Sequence, residues 1–471
     1  MGRWGITNMK KHVTASLLLL LAVCGAAIIS SCGSDHKAPA AVTSPESDFT
    51  ISTKDGTVTI TDYTGRSAAV GIPATIGGNP VVEIGENVFY NRKGITSISI
   101  PEGVTSIGVC AFAGCAGLTS LTIPASVTTI GDVAFASCTG LTSISIPEGV
   151  TSIGLHAFAD CTGLTSISIP ESVTSIGEGA FFGCTGLTTV TIPAGVASID
   201  DAPFINCTGL TSIQVNTNNK NYTSRDGVLF NKTGDTLIAC PTGLKGQYAI
   251  PAGVTSIRSH AFAHCIGLTS VSIPEGVTTI ERYAFSDCTG LTSVSIPASV
   301  TSIGEGAFLG CIGLTSIQVD TNNKNYLSRN GVLFSKTGDE LITCPTGLKG
   351  QYAIPAGVTR VWKRAFYGCT GLSSINIPAG VTRIGEEAFR DCTGLSSVSI
   401  PESVTRIGEE AFYGWPGLTS IRIGANVSMG INTSRWLIYS FENGFDDYYD
   451  TNGKKAGLYT FRNDEWSYSG R

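Results

Sequence analysis

The sequence predicts a β-rich solenoid, and three observations lead to that fold class. Phenylalanine recurs every 23 residues through most of the chain, and apolar residues alternate within each repeat as they do in short strands. Glycine supplies 57 of 471 residues and charged residues only 14%, whereas averages are about 7% and 25%. Internal repeats of roughly 20–50 residues are typical of stacked coils rather than of separate globular domains.

The repeat is read most easily in the unit LTSISIPEGVTSIGLHAFADCTG, whose residues define positions 1 to 23 from Leu141. Alternating apolar residues at positions 1, 4 and 6 predict a strand that Pro147 ends. Residues 150–153 predict a second extended piece. Gly154 permits a bend into a 3₁₀ or single helical turn at Phe158. The position-18 phenylalanines are Phe89, Phe112, Phe135, Phe158, Phe181, Phe204, Phe262, Phe285, Phe308, Phe366, Phe389 and Phe412.

Two enlarged units, near 211–250 and 315–354, interrupt the period at matching places 104 residues apart. Each carries a tight-turn signal, Asp226-Gly227 or Asn330-Gly331. Outgrowths on a solenoid often carry function, but a structural role is equally open. Their Asn-rich loops lack the spaced carboxylates of a calcium site.

The recurring pattern LTSIxIPxxVTSIGxxAFxxCTG closely resembles the BspA-like leucine-rich repeats of bacterial surface proteins, from about Ile95 to Ser420. Residues 78–85 resemble that family's entry unit. The resemblance implies a curved right-handed solenoid, export, and adhesion to host or neighbouring-cell proteins. It carries over no ligand-binding residues.

Residues 1–31 predict a lipoprotein signal peptide, and 32–48 a flexible polar tether. Lys10 and Lys11 precede a short apolar run, and the segment before Cys32 resembles a bacterial lipobox. That resemblance implies cleavage before Cys32, lipidation of its thiol and membrane attachment through the lipid, with the protein at the outer membrane or cell surface. The alternative is an ordinary secretory signal without lipid.

Both ends of the solenoid, 95–420, need caps because open ends expose strand edges and apolar core. In the N-terminal cap and entry repeat, 49–94, alternation over Phe49–Tyr63 predicts a hairpin. The C-terminal cap, 421–471, predicts a helix near 435–450 and a hairpin around 457–468. Its aromatic residues predict a plug for the last coil or, alternatively, a carbohydrate-binding face; they are Trp436, Tyr439, Phe441, Phe445, Tyr448, Tyr449, Tyr459, Phe461 and Trp466.

Ten cysteines share position 21, which predicts a ladder of buried thiols rather than a disulfide framework. They are Cys115, Cys138, Cys161, Cys184, Cys207, Cys265, Cys288, Cys311, Cys369 and Cys392. Trp415 takes this position in the last unit, which indicates an apolar environment. Cys110 lies off the ladder and is the thiol expected to react first.

The sequence indicates no catalytic, metal or cofactor site. His260 and His264 beside Cys265 raise the question of a metal, but the histidines are predicted to lie at variable surface positions. No serine has a nearby base and orienting group. The formal net charge of −6 lacks the basic footprint of a nucleic-acid-binding protein.

Two surfaces are candidates for partner binding. On the strand face, position 5 carries Gln214, Gln318, Asn376 and Arg422 among serines and threonines, although strand propensity alone also favours hydroxyl residues there. On the predicted convex side, position 12 carries Arg360, Arg383 and Arg406, and position 19 carries Tyr367 and Tyr413. The arginines either contact a partner or form salt bridges with Glu386-Glu387 and Glu409-Glu410; the tyrosines are contact residues or edge packing.

These features predict a non-catalytic, surface-anchored leucine-rich repeat protein that mediates binding to, or adhesion on, extracellular or host proteins as a monomeric solenoid. The alternative is a structural or self-assembling envelope lipoprotein without a specific ligand. An enzyme within the aromatic C-terminal segment is the third reading, and it would depend on Trp466.

Overall fold

The structure is a computed structural model that describes residues 43–430, 441, 445–462 and 465–470. Cys32, the predicted signal peptide, Trp436 and Tyr439 lie outside the described residues. The end of the predicted tether is already packed: the Ser44 backbone N–H donates to the Gly71 carbonyl at 2.8 Å, and Glu46–Asp48 form a 3₁₀ turn.

The N-terminal cap contains the predicted hairpin, in which Phe49 pairs with Tyr63. Tyr63 also packs on Phe89 with ring centroids 5.2 Å apart, so the cap covers the first ring of the core. The second cap strand then pairs in parallel with the entry repeat and begins the solenoid ladder. The strands of this region are β1 (Phe49–Lys54), β2 (Thr57–Tyr63), β3 (Ala69–Gly71), β4 (Thr75–Ile76) and β5 (Asn79–Ile84).

Each regular coil contributes two short strands, one at positions 3–6 and one at positions 12–13, because apolar residues alternate there. The position-12 strands join β5-β7-β9-β11-β13-β15 into one continuous parallel ladder. The strands of the first block are β6 (Ser97–Ser99), β7 (Ser106–Ile107), β8 (Ser120–Thr122), β9 (Thr129–Ile130), β10 (Ser143–Ser145), β11 (Ser152–Ile153), β12 (Ser166–Ser168), β13 (Ser175–Ile176), β14 (Thr189–Ile192), β15 (Ser198–Ile199) and β16 (Ser212–Val215).

The rest of the solenoid repeats this plan through two further blocks, each entered by an enlarged unit. Its strands are β17 (Tyr222–Arg225), β18 (Val228–Asn231), β19 (Thr236–Ala239), β20 (Gly246–Ala249), β21 (Ser256–Ile257), β22 (Leu268–Ser272), β23 (Thr279–Ile280), β24 (Ser293–Ile296), β25 (Ser302–Ile303), β26 (Ser316–Val319), β27 (Tyr326–Arg329), β28 (Val332–Ser335), β29 (Glu340–Thr343), β30 (Gly350–Ala353), β31 (Arg360–Val361), β32 (Leu372–Asn376), β33 (Arg383–Ile384), β34 (Ser397–Ser399), β35 (Arg406–Ile407), β36 (Ser420–Ile423) and β37 (Ser428–Met429).

The third side of each regular coil, positions 14–20, is a series of turns and not the helical turn that the sequence predicts. Its backbone is left-handed at positions 16 and 20: His156 and Asp160 have φ of 50° and 55°. Every second N–H therefore points to the next coil, as when Phe158 donates to the Ala180 carbonyl at 2.8 Å. The N–H groups between these bond within the coil, as when Ala159 donates to the His156 carbonyl at 3.1 Å. Bonds between coils therefore replace only every second bond that a helical turn would make within itself.

In the enlarged units this turn segment is shortened and a hairpin, β17–β18 or β27–β28, is added instead. Each unit rejoins the solenoid through β19 or β29, which pairs in parallel with the next position-12 strand. Most buried apolar residues fall into three large clusters, which divide near these units. The regular turn before each unit consequently has no full turn to stack against: no described residue accepts the N–H groups of Gly306, Phe308 and Gly310.

The core is a stack of the predicted phenylalanines, with nearly parallel rings of successive coils 4.8–5.8 Å apart. Phe441 of the C-terminal cap continues this stack on Phe412 at 4.7 Å. The cap also contains α1 (Phe445–Thr451), β38 (Gly457–Arg462) and β39 (Glu465–Tyr468), and the hairpin β38–β39 adds to β36. Because Phe445, Tyr449 and Tyr459 are fully buried, the predicted aromatic plug is confirmed.

Candidate functional site

A surface groove of about 490 Å³, called the arginine groove, lies in the last block of coils. Arg360, Arg383 and Arg406 form one wall, and they lie in register on neighbouring parallel strands. Glu386 and Glu409, at position 15, form the facing wall. The volume lies within the range of about 300–1,000 Å³ that is usual for ligand sites.

Strand alternation places the arginines at the surface. At position 13, Val361, Ile384 and Ile407 point into the core, so the preceding residue of each strand faces outward. The floor consists of position-14 glycines. A Cβ on Gly385 would lie 2.4 Å from the Lys363 backbone nitrogen, so the close approach of the preceding coil requires glycine there. The sequence predicts a bend at this position; the structure shows that coil stacking is the stronger reason.

Trp362 and Lys363 close the groove at its N-terminal end. Trp362 stands at position 14, where the regular pattern has glycine, and it is accommodated because the preceding coil is an enlarged unit with a shortened turn. Neither residue stood out as a candidate from the sequence. Their departure from the repeat, TRVWKRAF in place of TSIGxxAF, is the signal that could have identified them.

The charges in the groove are only partly neutralised. Arg360 pairs with Glu340 at 3.3 Å, and Lys363 pairs with Glu305. Among the described residues, Arg383 and Arg406 form no ion pair, and neither do Glu386 and Glu409 across the groove. The expectation that the arginines and these acidic residues neutralise one another is therefore wrong for these four side chains.

The second glutamate of each acidic pair turns away from the groove. Glu387 accepts two hydrogen bonds from Arg364, both 2.8 Å long, and Glu410 pairs with Arg390. Burial alone would raise the pKa of Glu387, but the hydrogen bonds and charge of Arg364 hold that pKa below its usual value. Arg364 also contacts Glu305, so it ties the last block to the coil before the enlarged unit.

Tyr367 and Tyr413 lie one coil to either side of Arg390, whose guanidinium carbon is 6.0 Å and 5.3 Å from their ring centroids. Tyr413 is 42% exposed, and Tyr367 is half-buried. The two rings therefore sandwich a cation. Each ring packs on the solenoid edge and still presents surface, so a contact with a partner stays a prediction.

The strand-face candidates are not brought together. Gln214, Gln318, Asn376 and Arg422 are all exposed, but they lie on β16, β26, β32 and β36, which belong to four different hydrogen-bonded sheets. Arg422 also has the C-terminal hairpin on one side, where it pairs with Leu458. This face is consequently a set of separate positions, whereas the three arginines form one wall.

The cysteine ladder has a hydrogen-bonding role that the sequence did not reveal. The Cys161 thiol donates to the Phe135 carbonyl at 3.1 Å, and the same bond recurs 26 residues apart along the ladder. Trp415 keeps it, since its indole N–H donates to the Phe389 carbonyl at 2.7 Å. Position 21 thus supplies a second donor to a buried carbonyl, which also accepts a backbone N–H, as Phe135 does from Cys138 at 3.2 Å. The replacement of cysteine by tryptophan in the last unit is the sequence feature that could have indicated this role.

Burial disfavours ionisation of several of the thiols, among them Cys115 and Cys161. All thirteen described cysteines are free, and burial raises the pKa of Cys115 to about 11. Cys110 is only half-buried, and burial together with the nearby Glu86 and Asp132 raises its pKa. That it reacts first stays a prediction. A raised pKa leaves less of the nucleophilic thiolate.

The other candidate ligand groups have structural partners. His264 lies 3.5 Å from Asp287, His260 stacks on Tyr283, and Cys265 is fully buried. Asn219 in the first Asn-rich loop is 1% exposed, and its amide donates to the Pro193 and Val196 carbonyls. Within the described ranges no group of three or more His, Cys, Asp or Glu residues could hold a metal ion. No helix in the same ranges is long and apolar enough to span a bilayer.

The repeat architecture matches a known protein family. A family model described as a BspA type leucine rich repeat region, in six copies, matches residues 82–211, 245–349 and 344–434. The chain belongs to the BspA-type leucine-rich repeat family. No curated protein matches it.

Several solved structures are similar to the chain. A leucine rich cell surface protein from Faecalibacterium prausnitzii is 32% identical over 83% of this chain and 98% of its own, with a TM-score of 0.48. A leucine-rich repeat protein from Bacteroides ovatus is 30% identical over 82% and 89%, with a TM-score of 0.41. One from Eubacterium ventriosum is 26% identical over 78% and 92%, with a TM-score of 0.49.

Proposed function

We propose that this BspA-type protein is a non-catalytic binding protein that is held at the cell surface through lipidated Cys32 and engages extracellular or host proteins through the arginine groove. The observation that carries the proposal is the pair Arg383 and Arg406, exposed side chains in register that form no ion pair among the described residues. Solenoids commonly offer extended surfaces of this kind to protein partners.

Membership of the family and the name of the similar Faecalibacterium protein, a cell surface protein, support display outside the cell. The anchor is tested by metabolic labelling with palmitate. Labelling is expected in the wild-type chain, to persist in Cys24→Ala and to be lost in Cys32→Ala. Equal labelling of the wild type and Cys32→Ala would contradict the anchor without bearing on the groove.

Binding is tested with the full chain carrying Cys32→Ala, immobilised and exposed to extracellular proteins, with every captured protein purified and titrated. Saturable binding is expected, and Arg383→Ser/Arg406→Ser should weaken it by about tenfold, since hydrogen bonds between charged groups are among the stronger ones. These changes introduce the hydroxyl residue that occupies position 12 in the first block.

The matched control is Arg66→Ser/Arg462→Ser, which removes two exposed arginines outside the groove and changes the net charge equally. It should bind as the wild type does. If the folded chain binds no extracellular protein saturably and instead assembles with itself as concentration rises, the structural envelope role is the correct one.

A further inference from the structure

Resting on that proposed function, the groove itself indicates what kind of segment it receives. Its arginine wall is a repulsive arrangement, because three like charges lie in register on strands about 4.8 Å apart. Of the three arginines, only Arg360 has an ion-pair partner among the described residues, Glu340. Guanidinium groups bind carboxylates through two parallel hydrogen bonds, so a ligand with carboxylates along one edge would relieve this repulsion.

The facing wall favours the opposite charge in a ligand. Glu386 and Glu409 carry negative charge that no described cation pairs with, and they line the same groove as Arg383 and Arg406. A uniformly anionic polymer would satisfy the arginines and be repelled by the glutamates. The fitting ligand is acidic along one edge and carries cations or hydroxyl donors along the other.

The floor admits a peptide backbone. Gly385, Gly408 and Gly430 present main chain without side chains between the two walls. An extended peptide directs successive side chains to opposite sides and advances about 3.3 Å per residue. Acidic residues at alternate positions would all face the arginines, and the residues between them would face the glutamates.

We infer that the arginine groove binds an extended segment of a partner protein in which acidic residues alternate with basic or hydroxyl residues. The segment lies along the solenoid axis, with its carboxylates on Arg383 and Arg406. The arginine wall spans two coil spacings, about 9.6 Å, which corresponds to roughly three residues of extended chain. Specificity therefore resides in the order of charges and not in the total charge.

The test uses two fluorescent ten-residue peptides of identical composition, one alternating Glu and Lys and the other carrying five Glu followed by five Lys. Fluorescence anisotropy with the full chain carrying Cys32→Ala is expected to show at least about fivefold tighter binding of the alternating peptide. Arg383→Ser/Arg406→Ser should weaken this binding by about tenfold or more, while Arg66→Ser/Arg462→Ser should leave it unchanged.

The glutamate wall has its own test. Glu386→Gln/Glu409→Gln should raise the affinity for an all-Glu peptide and reduce the preference for the alternating one. Equal affinity of the two peptides of identical composition, or binding that survives loss of both arginines, would overturn the inference. So would arginine-dependent binding of dextran sulfate without peptide binding, or a dimer in sedimentation velocity that Arg383→Ser/Arg406→Ser abolishes.

Failure here is distinguishable from failure of the proposed function. If a captured extracellular protein still needs Arg383 and Arg406 while both peptides fail to bind, the groove remains the binding site and only the alternating segment is wrong. The substitutions should leave the fold intact because both arginines are exposed, and circular dichroism of each variant verifies this.

Discussion

The first and last blocks of the solenoid have the same ladder and different surfaces. At position 12 the first block carries hydroxyl residues, as in Ser152 and Ser175, and the last block carries Arg360, Arg383 and Arg406, all in register on parallel strands. The glycine floor and the buried position 13 are common to both. The coil therefore sets the position of each surface side chain, and the residue type at that position determines what the surface can bind.

The largest expected effect tests the shared floor. Gly385→Ala and Gly177→Ala should each lower the free energy of unfolding by about 3 kcal/mol, because their Cβ atoms would lie 2.4 Å and 2.9 Å from the backbone of the preceding coil. Urea denaturation measures the loss. Gly94→Ala and Gly417→Ala are the controls, since no atom outside the neighbouring residues lies within 4 Å of either added Cβ. If neither change lowered stability, coil stacking would not require glycine at position 14.

The next effect tests the shared core donor. Trp415→Phe in the last block should cost about 2 kcal/mol, because it leaves the buried Phe389 carbonyl without its 2.7 Å bond. Cys161→Ala in the first block should cost about 1 kcal/mol, since a thiol is a weaker donor. Thermal denaturation measures both, and Cys161→Ser, which keeps a donor, should cost less than Cys161→Ala. If Trp415→Phe were neutral, the donor role of position 21 would be wrong.

A smaller, pH-dependent effect should separate the blocks. Arg364 holds the pKa of Glu387 below its usual value, so the ion pair stabilises the fold above the ordinary glutamate pKa of about 4.3. This contribution falls as the pH drops through the lowered pKa. Glu387→Gln should cost about 1 kcal/mol at pH 7, and the difference from wild type should shrink in acid. Hydrogen exchange of β33 and β35 in wild type and Glu387→Gln measures this loss of stability. Exchange of β11 and β13 should not differ between the two proteins. A cost that does not change with pH would contradict the ion pair between Arg364 and Glu387.

The smallest expected effect is a gain in stability, not a loss. Arg383→Ser should raise stability by about 0.5 kcal/mol, because Arg383 lies between two arginines in register and like charges directly opposite are unfavourable. The gain should decline as salt screens the repulsion. Ser175→Arg, placed between neutral neighbours in the first block, supplies the comparison and should change stability less. A salt-independent loss in Arg383→Ser would mean that the arginine supports the fold.

The repeat determined most of this molecule in advance. Alternation along the strands, the 23-residue spacing of phenylalanine and cysteine, and the capping hairpins at Phe49–Tyr63 and around 457–468 were legible because each reports a local period or turn preference. The exposed arginines of position 12 followed from the same alternation. Arg360, Arg383 and Arg406 could therefore be singled out before any contact between coils was known.

The stacking of the coils determines which side chains contact one another. Only stacking shows that Glu387 and Glu410 bind other arginines while Arg383 and Arg406 stay without an ion pair, that Trp362 fills the space beside an enlarged unit, and that position 21 serves a carbonyl of the preceding coil. A sequence reports the order of side chains along one coil, whereas these partners come from adjacent coils. The chemistry of the groove is a property of the stack.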